Sequence, residues 1–365
     1  MKVTILKWLA ALGLPVGLMA SFQLLRADAA LMERWVLGVL TPLEQGLGRL
    51  WSFAPFSVAE LLSAAVLLGG LVWLVRAVVC LVRGRQLRPF VRRLLAVGAV
   101  CLWLLAGLDW LWNAAYYTPG FAPRAGLTVQ PYTVEKLAQV TGEFARQASE
   151  LAEKMPRDEQ GRFVLSVDEC LGRGTQIYGG LEREFPFLCA RSVTAKPLIC
   201  SKLQSALGFT GIYFPFTGEA NVNIDAPRCL LPATVAHEMA HQRMVAAEEE
   251  ANFVGIAACV TGDDAVYAYS GYLMGLIHLS NALYGADPEG WVALRSEFSP
   301  LLVRDWQENN AYWAARQSAV EDAAEQAYDA FLKGNDQNLG VRSYGACVDL
   351  LVTWMGARSA VHEKS

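Results

Sequence analysis

The sequence predicts a mainly α-helical protein: three apolar helices at the amino terminus, then an α+β domain dominated by helices, with one small edge-strand element. Two observations carry this expectation. Apolar residues make up 54% of the chain and charged residues 18%, and the apolar excess is concentrated in charge-free runs before residue 113. After Pro232, a residue suited to the first turn of a helix, the pattern is helical almost to the end.

The first run, Trp8 to Leu25, has 18 residues without a charge and is bracketed by Lys7 and Arg26. Leu61 to Val75 and Leu94 to Leu108 are two more such runs, lengthened by their apolar flanks. Spans are therefore expected at about 8–25, 61–82 and 94–112, in a membrane anchor of residues 1–117. Between the second and third runs lie Arg76, Arg83, Arg85, Arg88, Arg92 and Arg93, whereas the link from Arg26 to Glu60 holds few cations and offsetting acids. The arginine-rich loop is then cytoplasmic, as is the amino terminus, and residues 118–365 form an extracytoplasmic domain of a multi-pass membrane protein. A cleavable signal peptide is the rival for the first run, since Ala27-Asp28-Ala29 has the small-x-small form; the domain lies outside in either case.

In the outer domain, Thr118 to Pro131 is a Pro- and Gly-containing entry loop. Thr133 to Met155 reads as an amphipathic helix with Val134, Leu137, Phe144, Ala148, Leu151 and Met155 near one face. Phe209 to Asn223 has the aromatic and β-branched content of a short strand, and Pro215 within it argues for an edge. Ala265 to Ala286 carries no formal charge, but Tyr267, Tyr269, Ser270, Tyr272, His278 and Asn281 make it too polar for lipid. It is expected to be a buried helix of the domain, with Gly271 and Gly275 admitting a close neighbour. Cys80 and Cys101 fall in membrane runs, which leaves six cysteines outside, of which Cys259 reads as a small buried apolar residue. No C-x-x-C pair occurs, so a four-cysteine zinc ribbon is excluded. A net charge of -4, with no basic cluster interleaved with aromatics beyond the first hundred residues, gives no footprint for nucleic acid.

The chemistry concentrates in Thr234 to Phe253, TVAHEMAHQRMVAAEEEANF. The chain has four histidines, and two of them stand here four apart, with Glu238 after the first. On a helix His237 and His241 share a face and can aim both imidazoles at one zinc ion, with Glu238 beside them. Zinc acidifies water and polarises a carbonyl, while the glutamate takes a proton and passes it to a leaving amine, which is peptide-bond hydrolysis. A third protein ligand is required. His278 and His362 are isolated, but Glu248, Glu249 and Glu250 follow at once. An unbroken helix would carry Glu248 about 10 Å beyond His241 along its axis, so the chain must break and turn back within Gln242 to Ala247. No glycine is available there. Glu250 is the rival ligand, and a solvated charge run is the plain alternative.

H-E-x-x-H followed by E-x-x-A-[DN], here Glu248-Glu249-Glu250-Ala251-Asn252, resembles the gluzincin type of metallopeptidase. The resemblance implies zinc as cofactor, Glu248 as third ligand and a zincin-like domain. TGEANVN, LPATVAHEMAHQR, EEEANF and YSGY, with the anchor's layout, also resemble a family of bacterial membrane proteins that carry a three-helix anchor and a zincin-like outer domain.

In zincins the strand before the active helix pairs with an extended substrate, and Ile212, Tyr213 and Phe214 are the candidates. Glu219 is a candidate for a substrate amino group, Tyr269 and Tyr272 for a hydroxyl on the oxyanion, and Asn252 for a hydrogen bond to a ligating histidine. The expected function is a membrane-anchored zinc metallopeptidase acting on a peptide or protein, with the lipid bilayer as its other partner. The rival is a non-catalytic sensor or envelope scaffold whose zinc is structural and closed by four protein ligands. Cleavage within the membrane is disfavoured, because the motif lies outside any long apolar span.

Overall fold

A computed structural model describes residues 7–84, 86–337 and 344–362 of the chain, with Arg85 and the side chain of His362 outside the described part. The protein is mainly helical, with one three-stranded sheet among the described residues. The helices that matter for the site are α1 (Leu14–Leu25), α2 (Ala29–Trp35), α3 (Thr41–Leu50), α4 (Val58–Gly84), α5 (Leu87–Leu111), α6 (Val134–Ala152), α7 (Ser201–Ala206), α8 (Leu231–His241), α9 (Glu248–Thr261), α10 (Ala265–Ala286), α11 (Pro300–Ala314), α12 (Ala319–Gly334) and α13 (Tyr344–His362). The strands are β1 (Lys196–Pro197), β2 (Gly211–Phe214) and β3 (Glu219–Val222), in the order β1-β3-β2.

Among the described residues, two helices are long and apolar enough to cross a membrane: Val58–Gly84, and Leu87–Tyr117, which continues α5 through a 3-10 turn. The first expected span is helical but shorter, Leu9–Leu25. It packs on α5 through the edge-to-face pair of Phe22 and Trp110 and through Trp110 Nε1, which donates to the Leu18 carbonyl. The link between the first two expected spans is itself structured. α2 and the π-helical turn Val36–Leu40 that joins it to α3 bury Met32, Val36 and Leu40 in the core, so this segment belongs to the body of the protein rather than to a loop.

α10 is the central helix of the domain. Tyr267, Tyr269, Leu273, Leu276, Leu279 and Leu283 are buried along it, and it is flanked by α6, α9 and α13. Gly271 and Gly275 do what the sequence suggests: a Cβ at Gly271 would stand 2.4 Å from Cys259 of α9, and one at Gly275 would stand 2.4 Å from the Phe144 ring of α6. α6 starts at its Thr133 cap, whose hydroxyl accepts from Lys136 N. All eight cysteines are free, and Cys259 is buried.

The stretch read as one strand is a hairpin. β2 pairs antiparallel with β3, and Pro215 sits in the turn between them. β2 is the edge, while β3 is central because β1 joins its other side in parallel. Gly218, at φ +65°, closes the turn and lies so near α3 that a Cβ would meet the Glu44 carbonyl oxygen at 2.1 Å.

Glu219 is the clearest departure from expectation. Its carboxylate is buried, pairs with Lys196 and accepts from the backbone N–H of Val58 (3.3 Å) and Ala59 (2.7 Å) at the start of α4. A carboxylate satisfies the unpaired first N–H groups of a helix and favours its positive end. Glu219 is thus committed to anchoring α4 rather than to a substrate amine. Ser57 completes the cap, its Oγ accepting from Glu60 N at 3.1 Å, while the Glu60 carboxylate accepts from Ile199 N and Cys200 N and ties the helix to the segment after β1. Glu219→Ala would leave Lys196 buried without its charge partner, which costs on the order of 3 kcal/mol or more. The expected result is a clear drop in melting temperature, read by calorimetry of the detergent-solubilised protein; an unchanged melting temperature would contradict the assignment.

Candidate metal centre

α8 begins at Leu231 with Pro232 in its first turn, and Val235, Ala236, Met239 and Ala240 are fully buried. That packing turns His237, Glu238 and His241 toward one cleft. The helix ends at His241. Arg243, Met244 and Val245 then fold back, with Met244 N bonded to the His241 carbonyl and Val245 N to the Ala240 carbonyl. These two bonds form a Schellman-type stop, which calls for a left-handed residue. With no glycine present, Met244 takes that role at φ 59° while its side chain is buried. Left-handed backbone costs an ordinary residue about 1 kcal/mol, and burying a methionine side chain stabilises by about 1.5–3 kcal/mol, enough to offset it.

The reversal starts α9 at Glu248 and brings that side chain back to the histidines. His237 Nε2 lies 3.2 Å from Glu248 Oε2, and His241 Nε2 lies 3.8 Å from Glu248 Oε1. The helices approach this closely because α9 carries Gly255 at the crossing, where a Cβ would stand 2.9 Å from His237 N. His241 Nδ1 is 2.7 Å from the Val245 carbonyl oxygen, so it carries the proton and leaves the Nε2 lone pair facing Glu248. The ligand atoms of His237, His241 and Glu248 all lie within 4.8 Å of one another, and among the described residues no fourth His, Cys, Asp or Glu joins them. Two imidazoles and a carboxylate, converging with one side open, match the donor set of a catalytic zinc ion.

Glu250 is not part of this set. Its carboxylate turns away and accepts from Phe121 N at 2.6 Å. Asn252 lies against His237 and favours its charged form, although His237 Nδ1 meets no partner with hydrogen-bond geometry.

The electrostatics separate the four groups. Burial pushes the Glu238 carboxyl up to about 8, with the Glu248 charge adding to the rise and the His237 charge opposing it. Burial drives His241 down to about 4. Burial works against ionising Glu248, yet the hydrogen bond from His237 and the charges of both imidazoles hold it at about 2. Burial also works against protonating His237, but the contacts with Glu248 raise it on balance. Glu248 is therefore a fixed anion, His241 a neutral donor, and Glu238 a carboxyl poised near neutrality with Oε2 unpaired.

The cleft, of about 480 Å³, is walled by β2, the C-terminal end of α5 and α12. Ile212, Tyr213 and Phe214 line it as expected of the edge strand. Tyr213 also ties the sheet to α3, because its hydroxyl donates to the buried Glu44, whose carboxyl burial raises well above its usual range. Tyr269 and Tyr272 lie elsewhere. The Tyr269 hydroxyl donates to Asp305 of α11 while its ring stacks on Phe163, and Tyr272 packs edge-to-face on Phe144 of α6. Neither lines the cleft.

Three features escaped the sequence reading. The Tyr328 hydroxyl, from α12, donates to Glu248 Oε1 inside the cleft. Trp112, past the end of α5, sets its ring edge-to-face on His241 at 5.4 Å. Gly211 opens space for the Glu238 carboxyl, since a Cβ there would stand 2.3 Å from Glu238 Oε1. Only the last carried a signal, a glycine at the head of an aromatic strand, which marks close approach of a neighbour. Gly211→Ala is expected to displace the Glu238 carboxyl and lower turnover by about tenfold to a hundredfold, with zinc content unchanged. Turnover equal to wild type in a folded variant would remove Gly211 from the site.

A family model described as "Protein of unknown function (DUF3810)" matches residues 36–352, a range that includes both long apolar helices and the whole His237–Glu248 site. No curated protein and no solved structure matches the chain.

Proposed function

The chain belongs to the DUF3810 family, and we propose that it is a membrane-anchored zinc metallopeptidase of gluzincin type. The observation that carries this reading is the convergence of three candidate ligands, with no fourth among the described residues, beside a buried glutamate with a free oxygen, in an open cleft. A structural zinc site would be closed by a fourth protein ligand.

His237 and His241 hold the metal through Nε2, and Glu248 supplies the anionic ligand. Zinc, when bound there, supplies a Lewis acid that polarises a carbonyl and acidifies water. Glu238 accepts a proton on its unpaired Oε2 and returns it to the departing amine. Tyr328 stands where its hydroxyl can turn from Glu248 to an oxyanion, the role expected of Tyr269 or Tyr272. β2 aligns an extended substrate. Its register pairs Ile212 and Phe214 with β3, so the alternation of an antiparallel ladder leaves the backbone groups of Gly211 and Tyr213 pointing outward.

The apolar helices anchor the domain in a bacterial cell membrane. Arg76, Arg83, Arg88, Arg92 and Arg93 flank the α4–α5 junction, which assigns that end to the cytoplasm and the metal centre to the extracytoplasmic side. Leu9–Leu25 is then the third crossing.

The test is metal removal on the detergent-solubilised full-length protein. Wild type is expected to contain one zinc per chain by elemental mass spectrometry and to cleave members of an unbiased peptide library. Chelation should abolish cleavage, and stoichiometric zinc should restore it. A zinc-loaded, folded protein that cleaves nothing would favour the scaffold reading instead.

A further inference from the structure

We propose that the cleft takes the extended apolar stretch just outside the bilayer of a membrane-anchored polypeptide, delivered along the membrane rather than from solution. This rests on the metallopeptidase reading and names its substrate class.

The outer end of a membrane-length helix is itself a wall of the cleft. Leu108, Trp112 and Tyr116 follow at intervals of four and line the cleft beside His237, Glu238 and His241. The hairpin reaches down along the same helix: Gly107 lacks a side chain, and a Cβ there would stand 2.7 Å from the ring of Phe216. Gly107 lies about 6 Å below the last residue of α5 at 1.5 Å per residue. β2 therefore runs at the depth where the helix leaves the apolar phase.

The depth is held from a second side. Glu219 and Glu60 bind the sheet region to the first turn of α4, the other long apolar helix. Around this base Phe53, Phe56, Ile199, Leu203 and Ile212 are 40% to 76% exposed, an apolar fringe that fits lipid better than water. Tryptophan and tyrosine are the residues that favour the interface, and the half-buried Trp110 and Tyr117 supply them at this level.

The cleft lining contains no lysine or arginine, so it offers no partner to an acidic side chain. A transmembrane helix satisfies its own backbone and cannot pair with an edge. The outward groups of Gly211 and Tyr213 call instead for an extended chain beside Glu238. A stretch emerging from the bilayer arrives at that level already anchored, and confinement to the membrane raises its effective concentration.

The experiment reconstitutes the full-length protein in phosphatidylcholine vesicles, counting only outward-facing domains. It compares two quenched reporters with the same twelve-residue apolar sequence, one free and one fused directly to a transmembrane helix. At equal total concentration the anchored reporter is expected to be cut about 10²-fold faster, with the cut within the segment adjoining the helix, and both activities should fall by about 10²-fold or more in Glu238→Gln. Equal rates for the two reporters would overturn the juxtamembrane inference while leaving the metallopeptidase reading in place. Lysolipid release from the vesicles without reporter cleavage would mean that the occupant is lipid, and would also overturn it. Failure of zinc-loaded protein to cut either reporter, or the free sequence at saturating concentration in detergent, would overturn both.

Discussion

Glu248→Ala in the full-length protein is expected to remove zinc from the purified chain, while Glu250→Ala is expected to retain it. The two glutamates are two residues apart in the first turn of α9, and at 3.6 residues per turn such positions face nearly opposite sides of a helix. Glu248 stands within 3.2 Å of His237 and 3.8 Å of His241, whereas the Glu250 carboxylate is held by Phe121 N. Removing Glu248 takes away the only anion among three donors and leaves two neutral imidazoles facing the ion. Loss of a residue that merely supports a ligand lowers metal affinity by about 10- to 100-fold, so loss of the ligand itself should exceed that range. Elemental mass spectrometry after gel filtration reads the outcome. Zinc lost from Glu250→Ala and kept in Glu248→Ala would reverse the ligand assignment. Loss from both would point to damage at the start of α9, which circular dichroism would reveal.

That difference between neighbouring glutamates also shows how far a single sequence reaches. The H-E-x-x-H spacing announces that His237 and His241 share a face with Glu238 beside them, as the cleft shows, because helical geometry is local: four residues make about one turn, and nothing distant alters it. The need for a chain reversal before Glu248 is legible for the same reason. The means of reversal is not, because a left-handed methionine depends on the burial of its side chain by residues far along the chain. The buried character of α10 and the roles of Gly271 and Gly275 were likewise readable from polarity and small size. The tyrosines were not. Tyr269 and Tyr272 were attractive by proximity in sequence, but Asp305 and Phe144 draw them into the core, and Tyr328 reaches the cleft from a helix with no distinguishing spacing. Glu219 misled for a related reason: an acid beside a glycine in a turn looks solvated until the fold brings the start of α4 to it. The division at residue 117 is crossed by the same kind of contact, since Glu44 and Trp112, both in the expected anchor, touch Tyr213 and His241.

Glu238→Gln is expected to keep zinc and fold but to lower turnover by about 10²- to 10⁴-fold, the range that general acid–base groups contribute. The substitution preserves shape in a place where shape is tightly set, since Gly211 leaves no room for a displaced side chain. It removes only the capacity to take and return a proton. The buried carboxyl sits in the protonated range near neutrality, at about 8, so a neutral amide is also the least disturbing replacement for the metal-free protein, and a stability change close to zero is expected. Tyr328→Phe provides the contrast. It too should retain zinc, but its loss should fall on turnover by about 10²- to 10³-fold through the oxyanion, with Glu248 otherwise undisturbed. Parallel measurement of zinc content, melting temperature and cleavage of one library-derived peptide separates these cases. If Glu238→Gln cleaves that peptide at the wild-type rate with zinc bound, the glutamate is not the base, and the buried Oε2 that no other group satisfies would need a different explanation.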